Sequence, residues 1–291
     1  MPRINRAIEL LEQGQPVYCD VVTELSHASG VRLARTWADY LTVDFEHQPF
    51  DMPGLHAFMR GLVAGGPTDR GHRTPAVIVT LPTDGSDSRT VRANHWMIRQ
   101  ALAAGVHGLL LCHAEVPDAV TAFVEGARYA FHERGVGEHL EAGRRGSGGQ
   151  ETAADIWGMT VADYLEHADV WPLNPRGELM LGLKIENRRA LGKAEASIAV
   201  PGIAFAEWGP GDMGMSHGYR EAHDPPYPPT MLAARDRVKT ACDRTGIAFL
   251  DVMQRDDVVA LIDAGVKIGA TTEEVAAIGR RYTGQEAAGG D

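Results

Sequence analysis

Apolar residues in this chain fall into eight short, nearly continuous runs separated by longer amphipathic stretches. The first four are VYCDVV from Val17, YLTVDFEH from Tyr40, AVIVTLP from Ala76 and GLLLCHAE from Gly108. The second four are LMLGLKIE from Leu179, IAFAEW from Ile203, IAFLDVM from Ile247 and VKIGATT from Val266. They are rich in Val, Ile, Leu and Phe and mostly do not alternate with polar residues, as expected of strands covered on both faces. Helical patterns lie between them, such as VRANHWMIRQALAAG from Val91, PDAVTAFVEGARYAF from Pro117 and PTMLAARDRVKTACDRTG from Pro229. Gly105, Gly246 and Gly265 stand just before the next strand, where a helix C-cap belongs. Eight strands alternating with helices predict one (β/α)8 TIM barrel over residues 1–291, opened by a helix in MPRINRAIELLEQGQ. A doubly wound open sheet is the competing arrangement. No GxGxxG or GxxxxGK[ST] loop follows any strand, so its nucleotide-binding forms lose support.

One stretch breaks the rhythm. Residues 132–176 run through a Gly/Arg-rich segment, a helix-like ADIWGMTVADYLEHA and VWPLNPRGE, forming an extended insertion after the fourth strand and helix. Long barrel loops often cover an active site or a subunit contact, and Trp171 favours that reading over an idle surface loop. Residues 284–291, ending GQEAAGGD, read as a frayed tail.

The formal net charge of −11 argues against nucleic acid or an anionic membrane as partner, since phosphate binding needs a basic face. No window approaches the ~20 apolar residues of a membrane span. Cys19, Cys112 and Cys242 are far apart with no CxxC spacing, which fits a reduced cytoplasm better than a zinc or disulfide framework.

In such a barrel the C-terminal strand ends carry the chemistry. That rule selects Asp44, Glu46 and His47 after the second strand and Thr80 at the third. It adds His113 and Glu115 at the fourth, Lys184 and Glu186 at the fifth, Glu207 and Asp212 at the sixth and Asp251 at the seventh. Lys184 and Glu186, two apart, point the same way from a strand. Each has a bland alternative: Asp44 and Asp212 as helix N-caps, Glu207 as an outward residue, His113 as a hydrogen-bonded core histidine. Glu186 and Asp212, with no Cys or His pair beside them, suit a hard cation such as Mg²⁺ or Mn²⁺. A 2-oxo acid can chelate such an ion, with the N–H groups of Gly209, Gly211 and Asp212 free to hold its carboxylate; Pro210 has none.

These residues resemble the HpcH/HpaI family of class II pyruvate aldolases. The likeness runs from LLEQGQPVYCDVV through VDFEHQPFD, IRQALAAGVHGLLL, LKIEN, EWGPGDMGMSHG and GVKIGATT. The resemblance implies a barrel, often hexameric (a trimer of dimers), with the last helix exchanged between subunits. It also implies Mg²⁺, Mn²⁺ or Co²⁺ on Glu186 and Asp212, and reversible cleavage of 4-hydroxy-2-oxo acids to pyruvate, or a close analogue, and an aldehyde through a metal enolate. His47 would serve in acid–base chemistry, oriented by Asp44 or Glu46, with Trp171 near the aldehyde. The chain departs from the family where an arginine usually ends the third strand: here Val79 and Thr80 stand. Lys184 replaces a usual glutamine, and the expectation is that its charge takes the arginine's part. A Schiff base on Lys184, a CoA-ester lyase of the citrate lyase β or malyl-CoA lyase type, and a non-catalytic metabolite-binding barrel are the other readings.

Overall fold

A computed structural model describes residues 2–221 and 223–285. All eight expected strands are present: β1 (Val17–Val21), β2 (Tyr40–Asp44), β3 (Ala76–Asp84), β4 (Gly108–Cys112), β5 (Leu179–Lys184), β6 (Phe205–Glu207), β7 (Ala248–Val252) and β8 (Ile268–Ala270). Neighbours pair in parallel, and the β4–β5 and β8–β1 pairings close the ring. The closed ring decides for the barrel over the open sheet. Gly105, Gly246 and Gly265 have φ of 88°, 74° and 87°, as helix-terminating glycines should.

The helices that frame the barrel's two ends are α1 (Arg6–Glu12), α2 (Pro117–Ala127), α3 (Gln150–Trp157), α4 (Val161–His167), α5 (Pro210–Ser216), α6 (Pro229–Thr245) and α7 (Glu273–Tyr282). Inward residues such as Val17, Ile78, Met180 and Phe205 form one apolar cluster with Ala7, Ile8 and Leu10 of α1. The first helix therefore plugs the N-terminal end of the barrel. Asn5, fully buried, caps it by accepting from the Ala7 N–H at 3.1 Å while its amide donates to the Glu178 carbonyl at 3.1 Å. Gly182 in β5 leaves room for the Phe205 ring, whose Cζ would lie 2.2 Å from any Cβ there. Phe205 thus seals the interior beneath the C-terminal strand ends, which stay open.

The insertion falls at the opposite end from the one expected of an active-site cover. Barrel helices run antiparallel to strands, so a segment following α2 emerges at the N-terminal end. Trp157 of α3 donates to the Gly105 carbonyl at 2.9 Å and stacks on His107, just before β4. A two-residue strand, Val170–Trp171, pairs with Leu179 and Met180 at the start of β5. The Trp171 indole donates to Glu12 of α1 at 3.2 Å. Trp171 therefore lies against the plug, far from the catalytic strand ends, and not in a substrate pocket.

Asp169 anchors this segment. It accepts from Arg128 Nε at 2.7 Å and Nη2 at 3.2 Å, with both side chains 1% exposed, and also from Asn174 and the Val170 N–H. Burial raises the Asp169 pKa, but the Arg128 hydrogen bonds and nearby His132 outweigh it and the net shift is downward.

The last helix, α7, rests on its own barrel. Gly279 faces the Tyr18 hydroxyl, which would lie 2.0 Å from any Cβ. Arg280 donates to Asp39 at 3.0 Å, and buried Gln285 donates to the Pro16 carbonyl at 3.1 Å. Gly284 and Gln285, placed in the tail by sequence, thus belong to the docked chain; residues 286–291 lie outside the described part. No helix among the described residues is long and apolar enough to cross a membrane.

Replacing Asp169 with alanine leaves the Arg128 guanidinium buried without its counter-ion, a loss of about 3–5 kcal/mol. Urea denaturation of Asp169→Ala should show that loss, and a change below about 1 kcal/mol would remove the pair from any anchoring role.

Candidate active site

The turn after β2 begins with Asp44, whose Oδ1 accepts the N–H of Glu46 at 2.8 Å and of His47 at 3.3 Å. Asp44 thus shapes the backbone and does not touch the His47 imidazole. Glu46 does: its Oε2 lies 3.3 Å from His47 Nε2. Of the two acids proposed to orient the histidine, the structure selects Glu46. His47 itself is more than half exposed and reaches into the cavity.

Lys184 ends β5 on the inward face it shares with Met180 and Gly182. Its ammonium contacts Glu46 Oε2, lies 3.0 Å from Glu186 Oε2 and 3.8 Å from Glu207 Oε1. Burial alone would lower the lysine pKa; the carboxylates of Glu207, Glu186 and Glu46 overcome that and raise it well above the ordinary value. A lysine so held stays protonated, so it is unsuited to a Schiff base and suited to a fixed positive charge. The carboxylates respond by depth. Glu46, less deeply set, is lowered because Lys184 outweighs burial. Glu186, fully buried, is raised because burial outweighs Lys184. Burial, with Glu186 and Glu46 adding repulsion, takes Glu207 to about 7 against the pull of Lys184. Sequence alone left Glu207 between a strand-end candidate and an outward residue; parallel register opposite Lys184 turns it inward.

His113 is the second residue underweighted in the sequence. Its N–H donates to Glu186 Oε1 at 2.8 Å, while Nε2 lies 3.6 Å from Glu46 Oε1. Asn187 Oδ1 accepts the N–H groups of Arg189 and Ala190, both at 2.9 Å, which fixes the amide and points its Nδ2 at His113 Nδ1, 3.2 Å away. His113 Nδ1 also lies 3.4 Å from Glu186 Oε1, so the ring stands between the two acids. His113 has φ 44°, the one left-handed non-glycine residue among the described ones. Strain of this kind collects where a functional contact requires it. The signal in sequence was the His and Glu of CHAE at the end of β4.

Asp212 stands in the first turn of α5, reached through Gly209. Gly209 has φ 49°, and a Cβ there would lie 2.5 Å from that of Glu186. Only glycine lets this turn pass so close to the acid. A cavity of about 410 Å³ at the C-terminal strand ends is lined by His47, Lys184, Glu186, Glu207 and the Gly209–Asp212 turn, with Tyr219, Arg220 and His223 beyond. Thr80 is not among them: through Leu110 it is level with Gly182, one inward layer beneath Lys184. Asp251 is tied to Trp208 Nε1 at 3.0 Å and to Arg235, behind the site.

Glu46, Glu186, Glu207 and Asp212 outnumber Lys184 as charges. Oxygens of Glu46 lie within 4.8 Å of donors on Glu186 and His113, and also of donors on His47 and Asp212. Glu46 Oε1 and Glu186 Oε2 are buried without a hydrogen-bond donor in good geometry. Clustered carboxylate oxygens in excess of the Lys184 charge suit a hard divalent cation.

Such donors around an open cavity at the mouth of a closed parallel barrel define a cation-assisted enzyme. Comparison with known proteins makes this specific: residues 26–275 match the model of the HpcH/HpaI aldolase/citrate lyase family, and the chain belongs to that family. It is 27% identical over 237 residues to a hydroxypyruvate/pyruvate aldolase of Pseudomonas aeruginosa, covering 80% of this chain and 75% of that one. A hydroxypyruvate/pyruvate aldolase of Chromohalobacter salexigens is 29% identical over 203 residues, covering 70% of this chain and 65% of the relative. Among solved structures, an HpcH/HpaI aldolase/citrate lyase family protein of Burkholderia cenocepacia superposes with a TM-score of 0.71 at 23% identity, over 97% of both chains.

Replacing His113 with glycine should relieve about 1 kcal/mol of backbone strain and raise stability. Loss of the imidazole beside Glu46 and Glu186 should weaken Mn²⁺ binding about 10–100-fold, read by titration calorimetry. Unaltered Mn²⁺ affinity would make the histidine a bystander.

Proposed function

We propose that this protein is a divalent-cation-dependent aldolase that cleaves or forms 4-hydroxy-2-oxo acids, with pyruvate or a close 2-oxo acid on one side and an aldehyde on the other. The observation that carries the reading is the protonated Lys184 facing the same cavity as Glu186 and Asp212. It supplies the cationic charge that β3 lacks. The aldolase names of the relatives support the substrate class.

Breaking the C3–C4 bond sends an electron pair toward the C2 oxygen, and the resulting enolate needs compensation. A divalent cation (Mg²⁺, Mn²⁺ or Co²⁺) held by Glu186 and Asp212 would supply Lewis-acid help at that oxygen, worth several kcal/mol. Lys184 adds a preorganised N–H donor and a fixed charge there. His47, held by Glu46, takes the C4 hydroxyl proton as the carbonyl of the leaving aldehyde forms. Gly209 and Gly211 let the turn approach the 2-oxo acid closely. Tyr219, Arg220 and His223 line the cavity beyond the Gly209–Asp212 turn, where the aldehyde would lie.

The same reading takes the protein as a cytoplasmic homo-oligomer, a hexamer or trimer of dimers. Its three free, buried thiols fit a reducing compartment, and light scattering at the mass of one 31.4 kDa chain would rule the assembly out.

Deuterium exchange into the pyruvate methyl group tests enolate formation without knowledge of the aldehyde. Exchange should vanish with EDTA and return with Mn²⁺ or Mg²⁺; exchange indifferent to EDTA would end the cation-dependent reading. Lys184→Met should slow exchange by about 10²–10³-fold, the usual loss on removing one oxyanion donor.

A further inference from the structure

A second cavity, about 380 Å³, opens at the N-terminal end of the barrel, between the starts of β2 and β3, α1 and α7. Five arginines and three carboxylates line it, a positive excess in a chain of net charge −11. Asp39 on its floor is already engaged: it accepts from the Tyr18 N–H at 2.9 Å and from Arg280 Nη2 at 3.0 Å, with Arg6 Nε 4.0 Å away. Arg6 also donates to Glu9 at 2.6 Å. Even so, Arg6 Nε and Arg280 Nε are buried with no acceptor. Arg280 is 8% exposed and the Arg6 side chain 13%, so these atoms have little bulk water to turn to. Buried N–H groups without acceptors are rare in folded proteins and mark a missing partner. Arg70 points to the same crowding: its pKa is lowered, first by burial and then by Arg6 and Arg280 beside it. At the rim, Arg35 and Arg281 are exposed and form no ion pair among the described residues.

We propose that this cavity binds a small organic phosphate, held by Arg6, Arg70 and Arg280 and closed over by Arg35 and Arg281. A phosphate oxygen is the strong acceptor that buried guanidinium Nε groups lack, and arginines are matched to it in geometry. The volume exceeds what a bare phosphate needs and falls in the range of small-metabolite sites. The bound anion ties α7 to α1 and to the first turn before β2, at the end of the barrel remote from the aldolase cavity. The site is thus structural or regulatory, and it does not rest on the proposed reaction.

One other source of the same charge is the chain's own end, since Glu286 and Asp291 follow Gln285, which lines the cavity. The experiment titrates the full chain with glycerol 3-phosphate and with inorganic phosphate, by calorimetry and thermal melting, with glycerol as the uncharged control. Glycerol 3-phosphate should bind and raise the melting midpoint. The R35S/R281S variant, altered only at exposed rim positions, should bind about tenfold more weakly while its pyruvate deuterium exchange is unchanged. No heat and no midpoint shift up to about 10 mM ligand, or equal binding by the rim variant, overturns the proposal. In a third arm, E286Q/D291N should bind no more tightly than the parent. A tenfold gain there would make the chain's own acidic end the occupant and overturn a metabolite ligand.

Discussion

The ammonium of Lys184 is the counter-ion around which the catalytic end of the barrel is arranged. It faces Glu46, Glu186 and Glu207 at once. Without it, a cluster of partly or wholly buried acids would have no internal cation, and each uncompensated buried charge costs several kcal/mol. With it, the acids still outnumber the cation, and Glu46 Oε1 and Glu186 Oε2 accept no hydrogen bond in good geometry. The arrangement therefore compensates enough charge to fold and leaves enough to attract a divalent ion. A neutral glutamine at this place, the family's usual choice, would balance less of the negative charge. Here that difference coincides with a third strand ending in Val79 and Thr80, without a cation of its own.

Depth sorts the acids around that lysine. Glu46 belongs to a turn, where Lys184 outweighs burial and keeps it charged, and it can brace His47. Glu186 and Glu207 end strands and face the interior, so burial raises both. A divalent ion bound beside them would reverse that shift, because its charge favours the carboxylate form. Cation binding and the charge state of the inner acids are thus coupled through one small volume.

The barrel was legible because strands buried on both faces carry continuous apolar runs, and all eight fall where those runs stand. The strand-end rule gathered Lys184, Glu186, Asp212 and His47 because it converts a strand list into a list of neighbours, and these four do line one cavity with Glu46 against Lys184. Glu207 stayed open between inward and outward because Trp208 beside it is as good a core residue, and only register with Lys184 decides inward. His113 is held beside Glu186 by a backbone N–H contact and a left-handed φ, neither of which a side-chain pattern reports. Trp171 was assigned to the wrong end because length and composition of an insertion do not say which end it leaves from. The antiparallel run of α2 does. The N-terminal arginine cavity assembles Arg6, Arg70 and Arg280 from three distant stretches and had no local signature.

The apolar floor under the site explains how one end of the barrel can hold so much charge. Phe205 occupies the space that Gly182 vacates, directly below the Lys184 layer, and α1 closes the far end. Water can therefore reach the acids only from the open mouth. Fields inside such a one-sided pocket are screened less than at a surface, so each contact to Lys184 or to a bound ion counts for more. The same floor cannot move to relieve repulsion, because its side chains are packed into a closed ring of strands. Charge at the mouth must be balanced by groups fixed in place or by an ion taken from solution, and the geometry of Glu46, Glu186 and Asp212 leaves room for the second.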